Sequence, residues 1–370
     1  MKWILGLLCL MFLVLFHELG HFVAAKIFGV KVESFSIGFG PVLLHKKIKG
    51  TDYRLSLFPL GGYCGMKGEK DFQKAVEEKL PEIQAEKDSL YGVHPAKRAL
   101  IGFSGPLFNF IFAILAFTTI NLIGFDYYTY SNKIILPDAT YENASTAAKD
   151  AGLLSGDEII QIENKEISDF SQIIEQISIR PDEDIQLKVL RDGQILEFTV
   201  HSDMDKSEGS GKIGIMADTS TLTQKKSEKL NFFEALGKGF TDSFEYLSLT
   251  IKSIGILFKG VELQNAVSGP ARITDMLGST IQDGFAASAK IGIISILNLL
   301  AFISISLFFM NLLPIPVLDG GIILIAFIEM IIRKKINPRI QYYIQFIGIA
   351  FIAFLFFIGL FGDIKYFFKR

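Results

Sequence analysis

The chain has 370 residues; half of them are hydrophobic, 34 are phenylalanine, and the mean hydropathy is positive at +0.38, which is typical of a membrane protein that also carries a soluble part. The 37 basic and 39 acidic residues nearly balance, so the composition excludes a strongly basic nucleic-acid-binding protein. The two cysteines, Cys9 and Cys64, indicate neither a disulfide framework nor a cysteine-ligated metal.

The first predicted element is an apolar segment over residues 3–25, which is long enough to cross a bilayer as a helix. It contains His17, Glu18 and His21. Positions 17 and 21 lie one turn apart on one helical face, so their imidazoles can bind one Zn²⁺ while Glu18 acts as a general base on the attacking water. Ionisable side chains in a membrane segment are costly and usually functional. The pattern therefore predicts a zinc site at membrane depth.

The next segment, residues 32–66, is rich in glycine and strand-like, with apolar alternation punctuated by Gly and Pro. This pattern predicts hairpins. At membrane depth such backbone is tolerated only where protein or a water-filled cavity shields it. Gly61, Gly62 and Tyr63 are candidates for holding an extended substrate peptide by edge pairing.

Three further apolar segments are also long enough to span a bilayer, over residues 99–125, 291–318 and 340–362. Between the first two spans, basic residues are numerous from Lys26 to Arg98, and four lie between Arg333 and Arg339 in the loop between the last two. Cytoplasmic loops carry such an excess, so both loops are predicted to be cytoplasmic. Both termini and the middle region then lie outside, and the zinc motif lies in the cytoplasmic half of the membrane. Three C-terminal residues conflict mildly with this orientation: Lys365, Lys369 and Arg370.

The middle of the chain predicts a small α+β domain over residues 128–204, with a helix capped by Ser168 or Asp169 between alternating strands. Taken alone, this domain is also compatible with a plain spacer. Residues 205–290 predict a linker that contains a long amphipathic helix over 231–260, whose apolar stripe packs on protein or lies at the membrane interface.

A third zinc ligand is required, because catalytic zinc takes three protein ligands and keeps one position open. Asp319 follows 28 uncharged residues, among them the helix-breaking Pro314 and Pro316, so it is the preferred candidate. The alternative is that Asp319 caps the next helix, a role that can coexist with metal ligation. Asn311 can donate a hydrogen bond to substrate or to the oxyanion, or can serve as a helix-packing amide. The remaining histidines are not at membrane depth: His45, His94 and His201.

Two alternatives to metal-dependent proteolysis remain. A metal-ion transporter would use His17, His21 and Asp319 as a transient site, but the second and fourth spans carry few of the polar residues that transport requires. A membrane-tethered binding module would have an inactive zinc motif, yet neither a ligand nor Glu18 is missing. A secretory signal peptide is disfavoured, because its apolar run spans only about 7–15 residues and lacks buried acids.

Six motifs occur along the chain, at residues 17–21, 38–41, 59–63, 104–106 with Asn109, 268–270 and 311–321. Through them the chain resembles, over nearly its whole length, the site-2 protease family of intramembrane zinc metalloproteases, and within it the bacterial RseP branch. The resemblance implies that His17, His21 and Asp319 bind zinc and that Glu18 is the catalytic acid–base.

The resemblance also implies a fold: a membrane α-helical protein of four transmembrane helices, with a membrane-reentrant β element within residues 32–66 and an inserted PDZ-like domain at 128–204. Residues 1–127 and 291–370 would form the catalytic membrane part. Many relatives carry two PDZ domains in tandem, whereas the length of this chain allows one. Many also carry an Asn five residues before the position of Asn311, where this chain has Ser306.

Finally, the resemblance implies substrates and a location. Family members cut the transmembrane segment of single-span proteins, typically an anti-sigma factor already trimmed on its outer side, and some clear remnant signal peptides. We therefore expect a zinc metalloendopeptidase in the lipid bilayer of the bacterial inner membrane, with the PDZ-like domain as an external gate.

Overall fold

The computed structural model describes residues 2–137, 145–206, 209–227, 229–257, 259, 261 and 268–368. It contains two compact units. The first, here called the helical unit, comprises Met1–Leu122, Leu230–Leu247 and Ser268–Arg370; the second, here called the sheet unit, comprises Ile123–Lys229 and Ser248–Val267. Some predicted positions lie outside the described residues: 138–144 of the α+β domain, 258 and 260 of the amphipathic helix, 207, 208, 228 and 262–267 of the linker, and the terminal residues 1, 369 and 370.

The helices are α1 Lys2–Ile27, α2 Glu69–Glu77, α3 Pro95–Ile123, α4 Ala147–Asp150, α5 Phe170–Ser178, α6 Phe232–Leu257, α7 Pro270–Ala287, α8 Ala289–Leu312, α9 Asp319–Ile332 and α10 Pro338–Phe368. The strands are β1 Val32–Ile48, β2 Thr51–Met66, β3 Asp126–Thr129, β4 Ile134–Ile135, β5 Glu158–Ile162, β6 Lys165–Glu166, β7 Asp184–Arg191, β8 Gln194–His201, β9 Asp203–Asp205, β10 Ser210–Lys212, β11 Met216–Ala217 and β12 Thr223–Lys226.

Four helices among the described residues are long and apolar enough to cross a membrane: α1, α3, α8 and α10. The prediction of a mostly helical protein with four such spans is therefore confirmed. The third span was expected to run to residue 318, but α8 ends at Leu312. The reason is that Pro314 and Pro316 lack backbone N–H donors and clash with a continuing helix.

Close helix contacts fix the position of α1. A Cβ on Gly6 would lie 2.2 Å from the carbonyl oxygen of Thr274 on α7, and one on Gly20 would lie 2.2 Å from the carbonyl oxygen of Ser104 on α3. Glycine at such positions lets two helix backbones approach closely, which is how helices pack where lipid removes the hydrophobic driving force. The α1 turn that carries the histidines is therefore held tightly against α3.

The chain between α8 and α9 is irregular and compact. A Cβ on Gly320 would lie 2.1 Å from the carbonyl oxygen of Leu313, and one on Gly348 of α10 would lie 2.0 Å from that of Pro316. Val317 has a φ of 90°, a conformation that β-branched residues rarely adopt. The N-cap of α9 is Leu318, so Asp319 is the first helical residue. The alternative prediction that Asp319 caps this helix is therefore wrong.

Strands β1 and β2 form a hairpin that folds back on itself, and they correspond to the glycine-rich segment over 32–66. Lys49 and Gly50 connect them with φ values of 47° and 85°, as a tight hairpin turn requires. The stretch 34–37 has strand partners on both sides, 52–55 on one and 62–65 on the other. Val32 is buried in the same cluster as Ala25 at the end of α1, so the hairpin packs against the helix that carries His17 and His21.

The sheet unit contains a four-stranded antiparallel sheet in the order β6-β5-β7-β8. Helix α5 packs on it through Ile173 and Ile177, and the side chain of Asp169 accepts a hydrogen bond from the N–H of Gln172, so Asp169 rather than Ser168 is the cap. The unit extends to Lys229, beyond the predicted end at 204. This occurs because β12 pairs with β3 and β11 with β4, which brings the outgoing chain back to the incoming one.

Helix α6 corresponds to the predicted amphipathic helix. The Asn231 side chain caps it by accepting hydrogen bonds from the N–H groups of Phe233 and Glu234. Within the helical unit, Phe244 packs on Phe110 of α3 with ring centroids 5.1 Å apart. The part of α6 in the helical unit therefore contacts α3 through aromatic side chains.

Candidate metal centre

The structure brings His17, His21 and Asp319 together. The Nε2 atoms of the two imidazoles, one turn apart on α1, are 3.2 Å from each other. Asp319 Oδ2 is 3.1 Å from Nε2 of His17, and its Oδ1 is 3.2 Å from Nε2 of His21. Both imidazoles are buried and the carboxylate is nearly so. Residues separated by some 300 positions in the chain therefore present three ligand atoms to one point.

The residue types and their spacing fit a zinc ion. Two imidazole nitrogens and a carboxylate oxygen are ligands that catalytic zinc takes in proteins. Bond lengths of about 2.0–2.2 Å at tetrahedral angles separate neighbouring ligand atoms by roughly 3.3 Å. The observed separations of 3.1–3.2 Å match that spacing.

Gly105 on α3 forms one wall of this centre. A Cβ at this position would lie 2.2 Å from Nε2 of His21 and 2.8 Å from Nε2 of His17. Any larger residue would therefore enter the space in which the two ligand nitrogens meet. The close fit explains why glycine stands here, inside a membrane-spanning helix.

Further contacts orient the two imidazoles from behind. Nδ1 of His21 donates to the carbonyl oxygen of Ile101 at 2.8 Å. The amide of Asn109, also on α3, is in contact with Nδ1 of His17 at 3.1 Å. Such partners fix the ring orientation of a metal-ligating histidine.

Glu18 lies between this centre and the hairpin. Its Cγ is 3.8 Å from the position that a Cβ on Gly62 would take. Gly61, Gly62 and Tyr63 follow one another in β2 beside Glu18, so the predicted substrate-holding residues lie near the predicted acid–base. Tyr63 is held in place, because its ring stacks on Phe39 and its hydroxyl accepts from Arg54 at 3.0 Å.

Asn311 lies in the last turn of α8 and is half-buried. Its side-chain amide has no hydrogen-bond partner within the described part of the chain, which leaves it available to a ligand.

Two residues that shape the centre, Gly105 and Asn109, occur in the sequence motifs but were given no role from the sequence. A Gly-Pro pair and a buried amide within an otherwise apolar span were the signals that could have indicated them.

Four apolar helices around a group of two histidines and an aspartate are features of membrane-embedded metalloproteases. Comparison with known proteins assigns the chain to the same class. Residues 5–355 match peptidase family M50. The chain belongs to this family, the site-2 proteases.

Relatives cover the chain almost completely. A protein of Treponema pallidum (strain Nichols) is 35% identical over 99% of both chains, and one of Campylobacter jejuni is 35% identical over 97% of this chain and 92% of its own. A protein of Helicobacter pylori (strain J99) is 34% identical over 98% of both. All three are named "putative zinc metalloprotease". The chain is a zinc metalloprotease of family M50, and its cofactor is Zn²⁺.

Proposed function

We propose that the protein is an intramembrane zinc metalloendopeptidase of the RseP type, which hydrolyses peptide bonds in the transmembrane segments of single-span membrane proteins. The observation that carries the proposal is the convergence of His17, His21 and Asp319 beside Glu18 on helices apolar enough to lie in a bilayer. A protease site on such helices can act only on a peptide that enters the membrane.

In the proposed reaction, His17, His21 and Asp319 hold Zn²⁺. When bound, the ion polarises the scissile carbonyl and lowers the pKa of a water molecule. Glu18 takes a proton from the attacking water and later delivers one to the leaving amine. Asn311 donates a hydrogen bond to the substrate backbone or to the oxyanion.

The hairpin supplies a place for an extended substrate. A transmembrane helix hides its carbonyls in its own hydrogen bonds, so it must unwind before attack. Residues 62–65 have strand partners on one side, at 34–37, and their other edge can pair with an added strand. A substrate on that edge would run past Glu18, which lies next to Gly62.

The hairpin also suits a membrane-reentrant element. Several apolar side chains of its outer part are exposed, with Leu43 at 56%, Leu44 at 67% and Phe58 at 51% of their accessible surface. Water would disfavour such an exposed apolar surface, whereas the hydrocarbon of a bilayer accommodates it. We therefore place the bend that carries these three residues inside the membrane, and leave the lysine-bearing turn at 46–50 outside the hydrocarbon.

The sheet unit is proposed to be PDZ-like and to lie on the outer side of the bacterial inner membrane, where it would reject bulky untrimmed substrates. The antiparallel sheet, the capped helix α5 and the loop at 152–157 support this proposal. The basic residues of the loops at 26–98 and 333–339 support the orientation. Trimmed anti-sigma factors and remnant signal peptides are the proposed substrate classes.

The test is cleavage of a tagged single-span substrate by purified enzyme and by Glu18→Gln. Because glutamine cannot carry the proton, we expect this variant to retain zinc and lose cleavage by at least about 100-fold. Retained cleavage would remove Glu18 from its role. A transporter would instead move Zn²⁺ across vesicles in both proteins and cleave in neither. Membrane proteomics of cells that express either the active enzyme or Glu18→Gln would then identify the uncut helices that accumulate with Glu18→Gln.

A further inference from the structure

The Asn109 side chain is buried completely in α3, one turn beyond Gly105. Its Nδ2 donates to Nδ1 of His17 at 3.1 Å. Its Oδ1 has no hydrogen-bond partner within the described residues. A buried polar atom without a partner is rare in folded proteins and calls for an explanation.

The neighbouring histidine shows what a zinc ligand needs. Nδ1–H of His21 donates to the carbonyl oxygen of Ile101 at 2.8 Å, which leaves the lone pair of Nε2 directed at Asp319. Histidines that ligate metals almost always donate their second N–H in this way. Nε2 of His17 also faces Asp319, at 3.1 Å, so Nδ1 of His17 has to carry the proton and needs an acceptor.

We propose that Asn109 is the positioning residue of His17, with its amide turned so that Oδ1 accepts a hydrogen bond from Nδ1–H. The two ends of an amide are nearly equal in size, so a half-turn about its last side-chain bond leaves the packing unchanged. That one rotation provides the buried oxygen with a donor and His17 with an acceptor. The inference rests on the proposed ligand set.

The opposite orientation is incompatible with ligation. While Nδ2 donates to Nδ1, the proton of a neutral His17 must sit on Nε2, the atom that meets Asp319 and His21. Turning the amide therefore selects the tautomer that can bind the ion.

The backbone of Asn109 is itself fixed. Ser304 on α8 is buried and donates its hydroxyl hydrogen to the carbonyl oxygen of Asn109 at 2.8 Å. This contact involves the main chain of α3, and neither the side-chain amide of Asn109 nor the metal centre takes part in it. This provides a control, because Ser304→Ala removes the backbone contact and leaves the amide oxygen in place.

The experiment measures the affinity of purified full-length protein in detergent for Zn²⁺, by competition with a chelating dye. Asn109→Leu keeps the branched shape of the side chain and removes the acceptor, so zinc affinity should fall about 10–100-fold. Asn109→Asp keeps an acceptor oxygen and should bind zinc close to the wild-type value, as should Ser304→Ala. The absorption spectrum of bound Co²⁺ should change in Asn109→Leu and not in Asn109→Asp, a difference that loss of packing alone does not produce.

Two results would overturn the inference: wild-type zinc affinity in Asn109→Leu, or equal losses in Asn109→Leu and Asn109→Asp. If Asn109→Leu does not purify as a folded protein, Asn109→Ala takes its place in the same comparison. His17→Ala separates this inference from the proposed function. Unchanged zinc affinity in His17→Ala would refute the ligand set itself. If zinc affinity is lost in His17→Ala but kept in Asn109→Leu, only the positioning role of Asn109 is refuted.

Discussion

Replacing Gly105 by alanine is expected to abolish tight zinc binding. A Cβ at this position would lie 2.2 Å from Nε2 and 2.6 Å from Cε1 of His21. Ordinary van der Waals contacts begin near 3.4 Å, so the imidazole would have to move by about 1.2 Å. It is not free to do so, because its Nδ1–H is bonded to the carbonyl oxygen of Ile101 at 2.8 Å.

A displacement of this size exceeds what a metal centre tolerates, since ligand distances stay within about 0.2 Å of their preferred values. We expect zinc affinity to fall by about 100-fold or more, which corresponds to about 2.7 kcal/mol. The helix itself should not unfold, because Gly→Ala in a helix interior stabilises it by about 0.5–1 kcal/mol. Zinc loss without loss of helix content is therefore the expected signature.

The assay is zinc competition on the full-length protein in detergent, with helix content followed by circular dichroism. Gly102→Ala is the matched control, three residues earlier on α3. Its Cβ would meet a side-chain atom of Ile323 at 3.2 Å, a contact that a shift of a few tenths of an ångström relieves, so it should bind zinc normally. Wild-type zinc affinity in Gly105→Ala would show that the two imidazoles do not hold the ion beside α3.

Three other changes have defined outcomes. Asp319→Asn should lower zinc occupancy measured by elemental analysis, and an unchanged metal content would exclude Asp319 as a ligand. Glu329→Leu should cost about 3–5 kcal/mol in thermal unfolding because it leaves Arg98 charged and buried, and the double variant with Arg98→Met should recover most of that loss; no recovery would mean that the two residues act separately. Asp157→Asn should speed hydrogen exchange in β5 and β7 several-fold at pH 7. Burial alone would raise the pKa of Asp157, but hydrogen bonds from Arg191 and from the N–H of Leu154 hold this pKa below its usual range. The ionised Asp157 therefore stabilises the fold above a pH of about 4, and this stabilisation is lost as the pH falls through the lowered pKa. The difference in exchange rate between wild type and Asp157→Asn should disappear at that low pH.

Much of the metal centre could be anticipated from local patterns. His17, Glu18 and His21 follow helical spacing within one apolar segment, and Asp319 follows two prolines that must break a span. Each of these signals lies within a few consecutive residues. The structure places the three ligand candidates together, as the spacing and the break had indicated.

The walls of the centre could not be anticipated in the same way. Gly105 is required because of atoms on α1, and Asn109 because of Nδ1 of His17, and both contacts join residues more than 80 positions apart. The extent of the sheet unit beyond residue 204 depends on contacts of the same kind. The strand β12 is short and polar, and only its pairing with β3, Thr223 with Thr129, brings it into the unit.

The positions of the three candidate zinc ligands therefore depend on how helices pack, and the motif alone does not set them. Gly20 allows α1 to touch Ser104 of α3, while a buried ion pair of Arg98 with Glu329 ties α3 to α9, the helix that begins with Asp319. Arg98 also lies over the ring of Tyr91 at 5.6 Å. Because α3 contacts both ligand-bearing helices, a change that shifts α3 should alter zinc affinity before it unfolds the protein.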